Sequence, residues 1–425
     1  MKIEELYQLY QESYSVSTDT RKITKNGLFF ALKGDNFNGN LFAEEALSKG
    51  ALYAIVDEDF VKSNNKIILV DDVLETLQSL AAYHRRQLAI PIIGLTGSNG
   101  KTTTKELINA ILSTIYKTVA TVGNLNNHIG VPLTLLSMPK DTQIGIVEMG
   151  ANHLKEIELL ANITLPDFGY ITNFGKAHLE GFGDLDGVVK AKTELYKNLK
   201  NNDKTAFVNN NDMTQVEQSE GMNRILFGQN NADFIIEFVT ADPFVNLKYN
   251  DVLIKSNLIG AYNFNNISAA IAIGKYFEIP DQSVKTAIEN YTPTNNRSQI
   301  INKKTNQIIL DAYNANPSSM KVALENLSNL SAPNKVVILG DMFELGNDSL
   351  QEHQYITDQL KKIDLEKAYL IGEGFNSTSS DAKNIQQFRN FDDFKDAFIN
   401  ENIQNTTILI KASRGMALER VLDLL

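Results

Sequence analysis

The sequence predicts an α/β protein of three domains, and the evidence is its length and the order of its apolar runs. A chain of 425 residues is too long for one ordinary hydrophobic core. Short β-branched runs alternate with helical patterns, as in domains with mostly parallel sheets. The runs are GLFFAL, ALYAIV and KIILV before residue 75, PIIGLT, IGIVEM, FGYIT and TAFVN in the middle, and KVVILG, KAYLIG and TTILIK near the C-terminus. The first group predicts a small α/β N-terminal domain, and the last predicts a Rossmann-like C-terminal domain.

Domain boundaries are predicted near residues 84–90 and 292–297. The second follows from NYTPTNNR, where Pro293 and the neighbouring asparagines indicate a linker. The predicted domains are residues 1–84, 85–294 and 295–425. Residues 228–258 interrupt the α/β alternation, because DFIIEFV, NLKYN and DVLIKSN are polar-punctuated strand patterns without helices between them. They predict a small antiparallel insertion or an extension of the sheet.

The composition excludes several classes of partner and chemistry. The chain has 51 acidic and 40 basic residues, so its net charge of −11 disfavours binding to nucleic acid. The absence of cysteine excludes disulfides, thiol nucleophiles and cysteine-ligated zinc. The N-terminal MKIEELYQLY lacks the pattern of a signal peptide, and no run approaches the roughly 20 apolar residues of a membrane span. We therefore expect a cytoplasmic protein without stable membrane insertion. We also expect it to be a monomer.

Residues 92–107, IIGLTGSNGKTTTKEL, have the pattern of a phosphate-binding loop. Glycines let backbone N–H groups converge on phosphate oxygens at a helix N-terminus, while Lys101 can reach the β- and γ-phosphates and Thr102 can hold Mg²⁺. Leu95 occupies the usual position of the first glycine, so the loop is a shortened variant. The alternative is a glycine turn before a capped helix. The pattern predicts that the central domain is a P-loop α/β ATPase domain with a mostly parallel sheet, which binds ATP or GTP. Its nucleotide-binding residues would be Gly97, Ser98, Asn99, Gly100, Lys101, Thr102 and Thr103.

Three other polar residues are candidates for the same site. Glu148 ends the run IGIVE, and acidic residues at strand ends that face a P-loop ligate Mg²⁺. His178 follows FGYIT in the glycine-punctuated NFGKAHLEGFG and could ligate or orient a metal. Lys192 lies on a predicted helix. The alternatives are a solvated or structural glutamate, a structural histidine and an ordinary surface lysine.

Several motifs follow one another along the chain: GSNGKTTT, GNLNNHIGVP, EMGANH, NFGKAHLEGFG and KAKTELY. Their order and spacing resemble those of the Mur ligases, the ATP-dependent amide ligases of peptidoglycan precursor synthesis. GAYNFNN, DAYNANPSSM, GDMFELG and KASRGMALE resemble the branch of that family that adds a dipeptide. STDTRKITKNGLFFALKGDNFNG resembles its UDP-substrate domain, so the resemblance extends over nearly the whole chain.

The resemblance implies a ligase that joins D-alanyl-D-alanine to UDP-N-acetylmuramoyl-tripeptide. ATP would phosphorylate the tripeptide's carboxylate, and the dipeptide's amine would then attack the acyl phosphate. Lys101 and Thr102 would hold the phosphates and Mg²⁺, and Glu148 and His178 would complete the metal shell. Lys192 would be carbamylated and ligate a second metal ion. The implied catalytic residues are Lys101, Glu148, His178 and Lys192, and the implied metal ligands are Thr102, Glu148, His178 and Lys192.

The resemblance also implies nucleotide and substrate contacts. The nucleotide contacts are Asn263 and Asn266 at the adenine, Arg297 from the C-terminal domain, and Asp311. The substrate contacts are Thr20, Arg21 and Lys33 at the UDP end, Lys411, Ser413 and Arg414 at the dipeptide's carboxylate, and Asn126, Asn127, Tyr313, Asn314 and Asn316. Lys411, Ser413 and Arg414 follow the run TTILIK and precede a predicted helix, a placement that suits an anionic group. The alternative for DAYN is a turn with self-capping asparagines, and the alternative for KAS is ordinary helix capping by its serine.

Three alternative functions stay open at this point. A sister ligase that adds a single amino acid and a folylpolyglutamate synthase share the shortened loop and the three-domain plan. The sister enzyme usually carries an Asp-Asn-Pro-Arg motif, which this sequence lacks. A catalytically inactive ATP-binding scaffold is the third alternative, and the intact candidate residues argue against it.

Overall fold

A computed structural model of the chain describes residues 1–59, 65–294 and 296–425. The N-terminal elements are α1 (Ile3–Tyr10), β1 (Val16–Ser17), β2 (Leu28–Phe30), β3 (Lys33–Gly34), β4 (Phe37–Asn38), α2 (Ala43–Ser48), β5 (Tyr53–Val56), β6 (Ile67–Leu69) and α3 (Val73–Leu88). The main sheet is parallel, with strand order β1–β2–β5–β6, and β3 pairs with β4 as an antiparallel hairpin. Thus each of the three predicted apolar runs before residue 75 forms a strand.

Helix α3 joins the N-terminal sheet to the rest of the molecule. It begins where the Asp72 carboxylate accepts a hydrogen bond from the Glu75 N–H at 2.7 Å, and its C-cap, Ala89, has a φ of +45°. Leu77 and Leu80 are fully buried in a core that continues from the N-terminal strands to one face of the central sheet. The helix therefore continues past residue 84, where the first domain was predicted to end, and the exact boundaries stay predictions.

The central region is a parallel sheet with helices on both faces. Its elements are β7 (Ile92–Thr96), α4 (Lys101–Leu112), β8 (Thr118–Ala120), α5 (Gly130–Leu136), β9 (Ile144–Glu148), α6 (Glu156–Thr164), β10 (Phe168–Ile171), α7 (Leu179–Phe182), α8 (Leu185–Lys192), α9 (Glu194–Asn201), β11 (Thr205–Asn209), α10 (Met213–Gln218), β12 (Asn223–Gly228), β13 (Phe234–Ile235), β14 (Glu237–Ala241), β15 (Phe244–Tyr249), β16 (Val252–Ile259), α11 (Asn263–Tyr276) and α12 (Asp281–Asn290). The sheet has the order β13–β12–β11–β10–β7–β9–β8, and each pair is parallel.

Alternate side chains of the central strands pack into two separate cores. Ile92 and Val147 lie in the core shared with α3, α5, α6 and α9, while Ile93 and Ile146 lie in the core shared with α4, α11 and α12. Successive side chains of a strand point to opposite faces, so both faces of this sheet are buried. This explains why its strands read as continuous apolar runs.

Strands β14, β15 and β16 form the predicted antiparallel insertion. Phe234–Ile235 pairs in parallel with β12 and extends the central sheet, so both predicted alternatives occur in this stretch. The insertion therefore starts at β14 and leads directly into α11.

The C-terminal region is a second α/β layer structure. Its elements are β17 (Gln299–Lys303), β18 (Asn306–Asp311), α13 (Pro317–Asn329), β19 (Lys335–Gly340), α14 (Ser349–Leu360), β20 (Lys367–Ile371), α15 (Glu373–Asn376), β21 (Ile385–Phe388), α16 (Phe391–Phe398) and β22 (Thr407–Lys411). The strand order is β17–β18–β22–β19–β20–β21, with β17 antiparallel to β18 and the other pairs parallel.

One C-terminal element differs from the prediction. The α-helix expected after TTILIK is replaced by the 3₁₀ turns Arg414–Met416 and Leu418–Asp423, because Ala417 between them has a φ of +48°. The predicted α/β class is nevertheless confirmed for all three regions. In the described part of the chain, no helix has both the length and the apolar character needed to cross a membrane.

Candidate active site

A large cavity lies at the edge of the central sheet where parallel strands end together. The neighbours β10, β7 and β9 are parallel, so their carboxyl ends meet at this edge. The P-loop follows β7, Glu148 ends β9, and residues 172–178 follow β10. The C-terminal region covers the same edge and contributes the opposite wall of the cavity, which has a volume of about 1290 Å³.

The P-loop requires glycine at two positions. Gly97 has a φ of +138°, and a Cβ there would lie 2.0 Å from the Thr172 hydroxyl oxygen. Gly100 has a φ of +79°, and a Cβ there would lie 2.6 Å from Asn266 Oδ1. The Lys101 ammonium donates to the Gly97 carbonyl at 2.7 Å, and burial lowers the pKa of Lys101 although Glu148 opposes this shift. The lysine therefore folds back over the loop, with its charge balanced by main-chain oxygen.

Thr102 and Glu148 place a hydroxyl and a carboxylate in contact beside the loop. The Thr102 hydroxyl donates to Glu148 Oε2 at 2.9 Å, and Asn126 Nδ2 donates to Oε1 at 2.8 Å. Both Thr102 and Glu148 are almost fully buried. A hydroxyl and a carboxylate in contact are the oxygen donors that Mg²⁺ prefers beside phosphates. Neither here nor elsewhere in the described residues do three or more His, Cys, Asp and Glu side chains form a group that could hold a metal ion, so the site offers a hydroxyl and one carboxylate beside the place of the phosphates.

His178 pairs with a carboxylate that the sequence analysis did not select. It has a φ of +54°, and its Nδ1 donates to Glu344 Oε2 from the C-terminal region. This hydrogen bond lowers the pKa of the Glu344 carboxyl. A metal-binding histidine commonly donates its second ring nitrogen to a carboxylate in this way, so the pairing is compatible with a ligand role for Nε2.

Lys192 is buried and has no carboxylate within ion-pairing distance among the described residues. Its ammonium donates to the Ala151 carbonyl at 3.2 Å and lies 5.0 Å above the Phe182 ring. Burial, together with the nearby charge of Lys101, lowers the pKa of Lys192 to about 7. The lysine is not among the residues that line the cavity, but Ala151 is, so its amine lies directly behind the wall. The alternative of an ordinary surface lysine was wrong.

The two candidate adenine residues form one buried chain of amides. Asn263 Nδ2 donates to the Ile259 carbonyl at 2.8 Å, and Asn266 Nδ2 donates to Asn263 Oδ1 at 2.7 Å. The Thr104 hydroxyl donates to Asn266 Oδ1 at 3.1 Å. Both asparagines line the cavity, but part of their hydrogen-bonding capacity already holds α11 and the loop in place.

The C-terminal region carries cations in two different environments, and of these Arg297 and Lys411 line the cavity whereas Arg414 does not. The Arg297 guanidinium lies 3.5 Å above the Tyr313 ring, and that of Arg414 lies 5.0 Å from the same ring. Lys411 is buried and donates to Asp311 Oδ2 at 2.6 Å. Asp311 therefore neutralises Lys411, whereas the aromatic face orients Arg297 and Arg414 and leaves their charge available.

Other predicted contacts on the cavity side have structural partners. Asn127 Oδ1 accepts the Gly130 N–H at 2.9 Å, and the Asn314 carbonyl accepts from Lys411 at 3.2 Å. Ser413 is buried and accepts the Phe343 N–H at 2.9 Å. It precedes the 3₁₀ turn Arg414–Met416 but its side chain forms no capping hydrogen bond, so the capping alternative was wrong. With no α-helix after it, the expected helix N-terminus for a carboxylate is also missing from this segment.

Polar contacts join the C-terminal region to the P-loop side. Asn316 caps α13 and donates from Nδ2 to Asn99 Oδ1 at 2.8 Å. The Ser318 hydroxyl accepts the Lys176 N–H at 2.7 Å, and the Lys176 ammonium contacts Glu352 at 2.7 Å. These contacts hold the two walls of the cavity against each other.

The UDP-end candidates lie away from this cavity. Arg21 forms a two-point ion pair with Asp19, the shortest contact being 2.8 Å, and Lys33 lies 3.1 Å from Asp57. Neither these two residues nor Thr20 line the cavity. The structure thus brings most of the loop candidates, the metal candidates Glu148 and His178, and most of the C-terminal candidates to one cavity. Ser413 and Arg414 do not line that cavity, and the UDP-end candidates lie on a separate surface.

The sequence analysis missed Lys176, Ser318, Glu344 and Glu352. Glu344 lay within the quoted GDMFELG, and Ser318 follows the helix cap in DAYNANPSSM. Nothing in the local pattern predicts that residues 166 positions apart, such as His178 and Glu344, are paired.

The fold and the site define a nucleotide-binding P-loop protein in which a second α/β domain closes the cavity beside the loop. The sequence matches three Mur ligase models: the family's catalytic domain over residues 12–85, the middle domain over 95–274 and the glutamate ligase domain over 296–414. The chain belongs to the Mur ligase family.

Individual relatives match over almost the whole length. UDP-N-acetylmuramoyl-tripeptide–D-alanyl-D-alanine ligase of Bacillus subtilis is 34% identical over 421 residues, with 96% of this chain and 92% of the relative covered. The enzyme of the same name from Escherichia coli is 34% identical over 429 residues, with the same coverage. The crystal structure of MurF from Acinetobacter baumannii has a TM-score of 0.86 at 30% identity, covering 96% of this chain and 93% of that one. MurF ligase from Thermotoga maritima in complex with ADP has a TM-score of 0.84 at 26% identity, covering 96% of each chain.

Proposed function

We propose that this chain is the ATP-dependent ligase that joins D-alanyl-D-alanine to UDP-N-acetylmuramoyl-tripeptide in peptidoglycan precursor synthesis. The observation that carries the proposal is the cavity between the P-loop and the C-terminal wall. Relatives that match almost the whole chain are named for this activity. The related enzyme that holds ADP supports ATP as the nucleotide. We propose that the reaction takes place in the cytoplasm and that the protein is a monomer.

The cavity supplies what an acyl-phosphate reaction needs from a protein. The tripeptide's carboxylate attacks the γ-phosphate, ADP leaves, and the dipeptide's amine then displaces phosphate from the acyl group to form the amide. In our proposal Lys101 binds the transferred phosphoryl group, Arg297 binds phosphate or ribose oxygens, and Asn263 and Asn266 contact the adenine. The contact of Asn316 with the loop holds the two walls of the cavity together.

The donor set fits Mg²⁺. Thr102 and Glu148 supply a hydroxyl and a carboxylate in contact, and we propose that they hold the metal, with His178 contributing through Nε2. Mg²⁺ would neutralise charge on the phosphate oxygens. We further propose that Lys192 is carbamylated, because a buried amine with a pKa near 7 can react with CO₂ and the resulting anion would suit a second metal ion.

We assign the remaining contacts by region. In this proposal residues 1–84 bind the UDP substrate through Thr20, Arg21 and Lys33, and residues 85–294 bind ATP. Residues 295–425 bind nucleotide and dipeptide through Asp311, Tyr313, Asn314, Asn316, Lys411, Ser413 and Arg414. Asn126 and Asn127 of the central domain also contact the substrate.

Phosphate release from ATP and Mg²⁺ tests the function. We expect release with UDP-N-acetylmuramoyl-tripeptide and D-alanyl-D-alanine together, and none when either is omitted. Release only with a single amino acid, or only with glutamate and a folate, would place the protein with a sister ligase or a folylpolyglutamate synthase. No release in any mixture would support the inactive scaffold.

The metal proposal has its own test. Thr102→Val keeps the side-chain shape but removes the hydroxyl, and we expect kcat to fall about 100-fold with a higher Mg²⁺ requirement. Thr118→Val is the control, because that hydroxyl donates to Asn109 outside the cavity. Equal Mg²⁺ titrations for the two variants would contradict the assignment.

A further inference from the structure

Carboxylates on the cavity wall differ in how many of their oxygens accept a hydrogen bond. The carboxylates concerned are Glu148, Glu156, Asp212, Asp311 and Glu344. Both oxygens of Glu148 accept side-chain donors, and Asp311 accepts the Ser298 N–H on one oxygen and Lys411 on the other. Asp212 accepts Gln215 donors on both oxygens.

Both oxygens of Glu156 also accept hydrogen bonds. Its Oε2 accepts the N–H groups of Asn152 and His153, and the Asn152 amide reaches Oε1 at 3.2 Å in its better-bonded orientation. In Glu344, by contrast, His178 binds Oε2, and Oε1 has no donor within the described residues. The Glu344 side chain is 50% exposed. Glu344 thus presents a free carboxylate oxygen to the cavity.

The position of Glu344 is nevertheless well fixed. Its carbonyl accepts the Glu180 N–H at 3.1 Å, and the His178 ring holds one side of the carboxylate. Both partners belong to the central region, whereas Glu344 belongs to the C-terminal region. The carboxylate therefore lies at the seam between the two walls, beside the loop that carries His178.

The other charged groups of the cavity indicate which ligand group this oxygen suits. Lys101 and Arg297 also line the cavity, and they suit the phosphates of ATP. The acceptor of a ligase reaction arrives as an ammonium ion, which needs an anion within hydrogen-bond distance. On the basis of the function proposed above, we propose that Glu344 binds the ammonium group of the incoming dipeptide, with His178 holding the carboxylate in place.

The test compares Glu344→Gln with the wild-type enzyme under full substrate conditions. We expect the KM for D-alanyl-D-alanine to rise about 10- to 100-fold, because the substitution replaces a charge-assisted hydrogen bond with a neutral one. The KM values for ATP and for UDP-N-acetylmuramoyl-tripeptide should not change. Glu180→Gln is the matched control, since it makes the same chemical change beside the seam but outside the cavity lining.

A second measurement separates ammonium binding from a general structural effect. N-propionyl-D-alanine has the shape of the dipeptide without its amino group, so its inhibition constant should be the same for the wild type and for Glu344→Gln. A parallel rise in that constant, or an unchanged KM for the dipeptide, would overturn the proposal. A wild-type protein that releases no phosphate with the dipeptide overturns the proposed function and this inference together, whereas an active wild type with an unaffected variant overturns this inference only.

Discussion

Lys192 allows a quantitative prediction about carbamylation. Its pKa is lowered from 10.5 to about 7, first by burial and second by the charge of Lys101. A neutral amine is needed to attack CO₂, and at pH 7 about half of Lys192 is neutral, against roughly 0.03% of an unperturbed lysine. Burial and the charge of Lys101 together therefore raise the neutral fraction by about three orders of magnitude. Because the pKa is lowered, the neutral form is lost as the pH falls below 7.

The experiment replaces Lys192 with arginine and follows the carbamate directly. Protein equilibrated with ¹³C-labelled bicarbonate should show a carbamate carbonyl resonance that is absent in Lys192→Arg and retained in Lys190→Arg, an exposed lysine on the same helix. At constant dissolved CO₂, the resonance should weaken between pH 8 and pH 6, because the neutral amine falls about tenfold and each carbamate that forms also releases a proton. Activity should decline in parallel, and Lys192→Arg should be inactive.

Two results would refute this reasoning. A resonance of equal strength in Lys192→Arg would show that the carbamate lies elsewhere. Full activity of Lys192→Arg, together with wild-type activity that does not respond to removal of CO₂, would show that the buried amine is not used in the reaction.

Two further predictions concern the loop and the contact that closes over it. Gly97→Ala should lower the free energy of unfolding by about 3 kcal/mol, because φ is +138° there and the new Cβ would lie 2.0 Å from a threonine hydroxyl oxygen. Gly123→Ala is the control: φ is +58° and the surrounding space is open, so it should lower the free energy of unfolding by only about 1 kcal/mol. Urea denaturation measures both, and equal midpoints would contradict the prediction. Asn316→Ala and Asn390→Ala should each cost about 1 kcal/mol as helix caps, but only the first loses a contact with Asn99 and should raise the KM for ATP several-fold.

The candidate site divides into residues that local pattern could identify and residues that it could not. Glycine spacing located the P-loop, because a strand followed by glycines, a lysine and threonines has few other structural uses. Glu148 was identified from its position at a strand end, and parallel strands bring such ends to one edge. Ser413 was different: it was predicted to contact the dipeptide's carboxylate, with helix capping as the alternative. The structure rules out the capping alternative, because no α-helix follows and the hydroxyl accepts the Phe343 N–H instead.

The sequence by itself determined the α/β class, the strand runs and the loop, because periodicity and glycine placement are local properties of the chain. It also determined that any metal here would have oxygen or nitrogen ligands, since there is no cysteine. The tertiary structure decided the burial of Lys192, the neutralisation of Lys411 by Asp311 and the pairing of His178 with Glu344. These depend on contacts between residues far apart in sequence, and the pKa and available charge of each group are set by the groups that folding brings beside it.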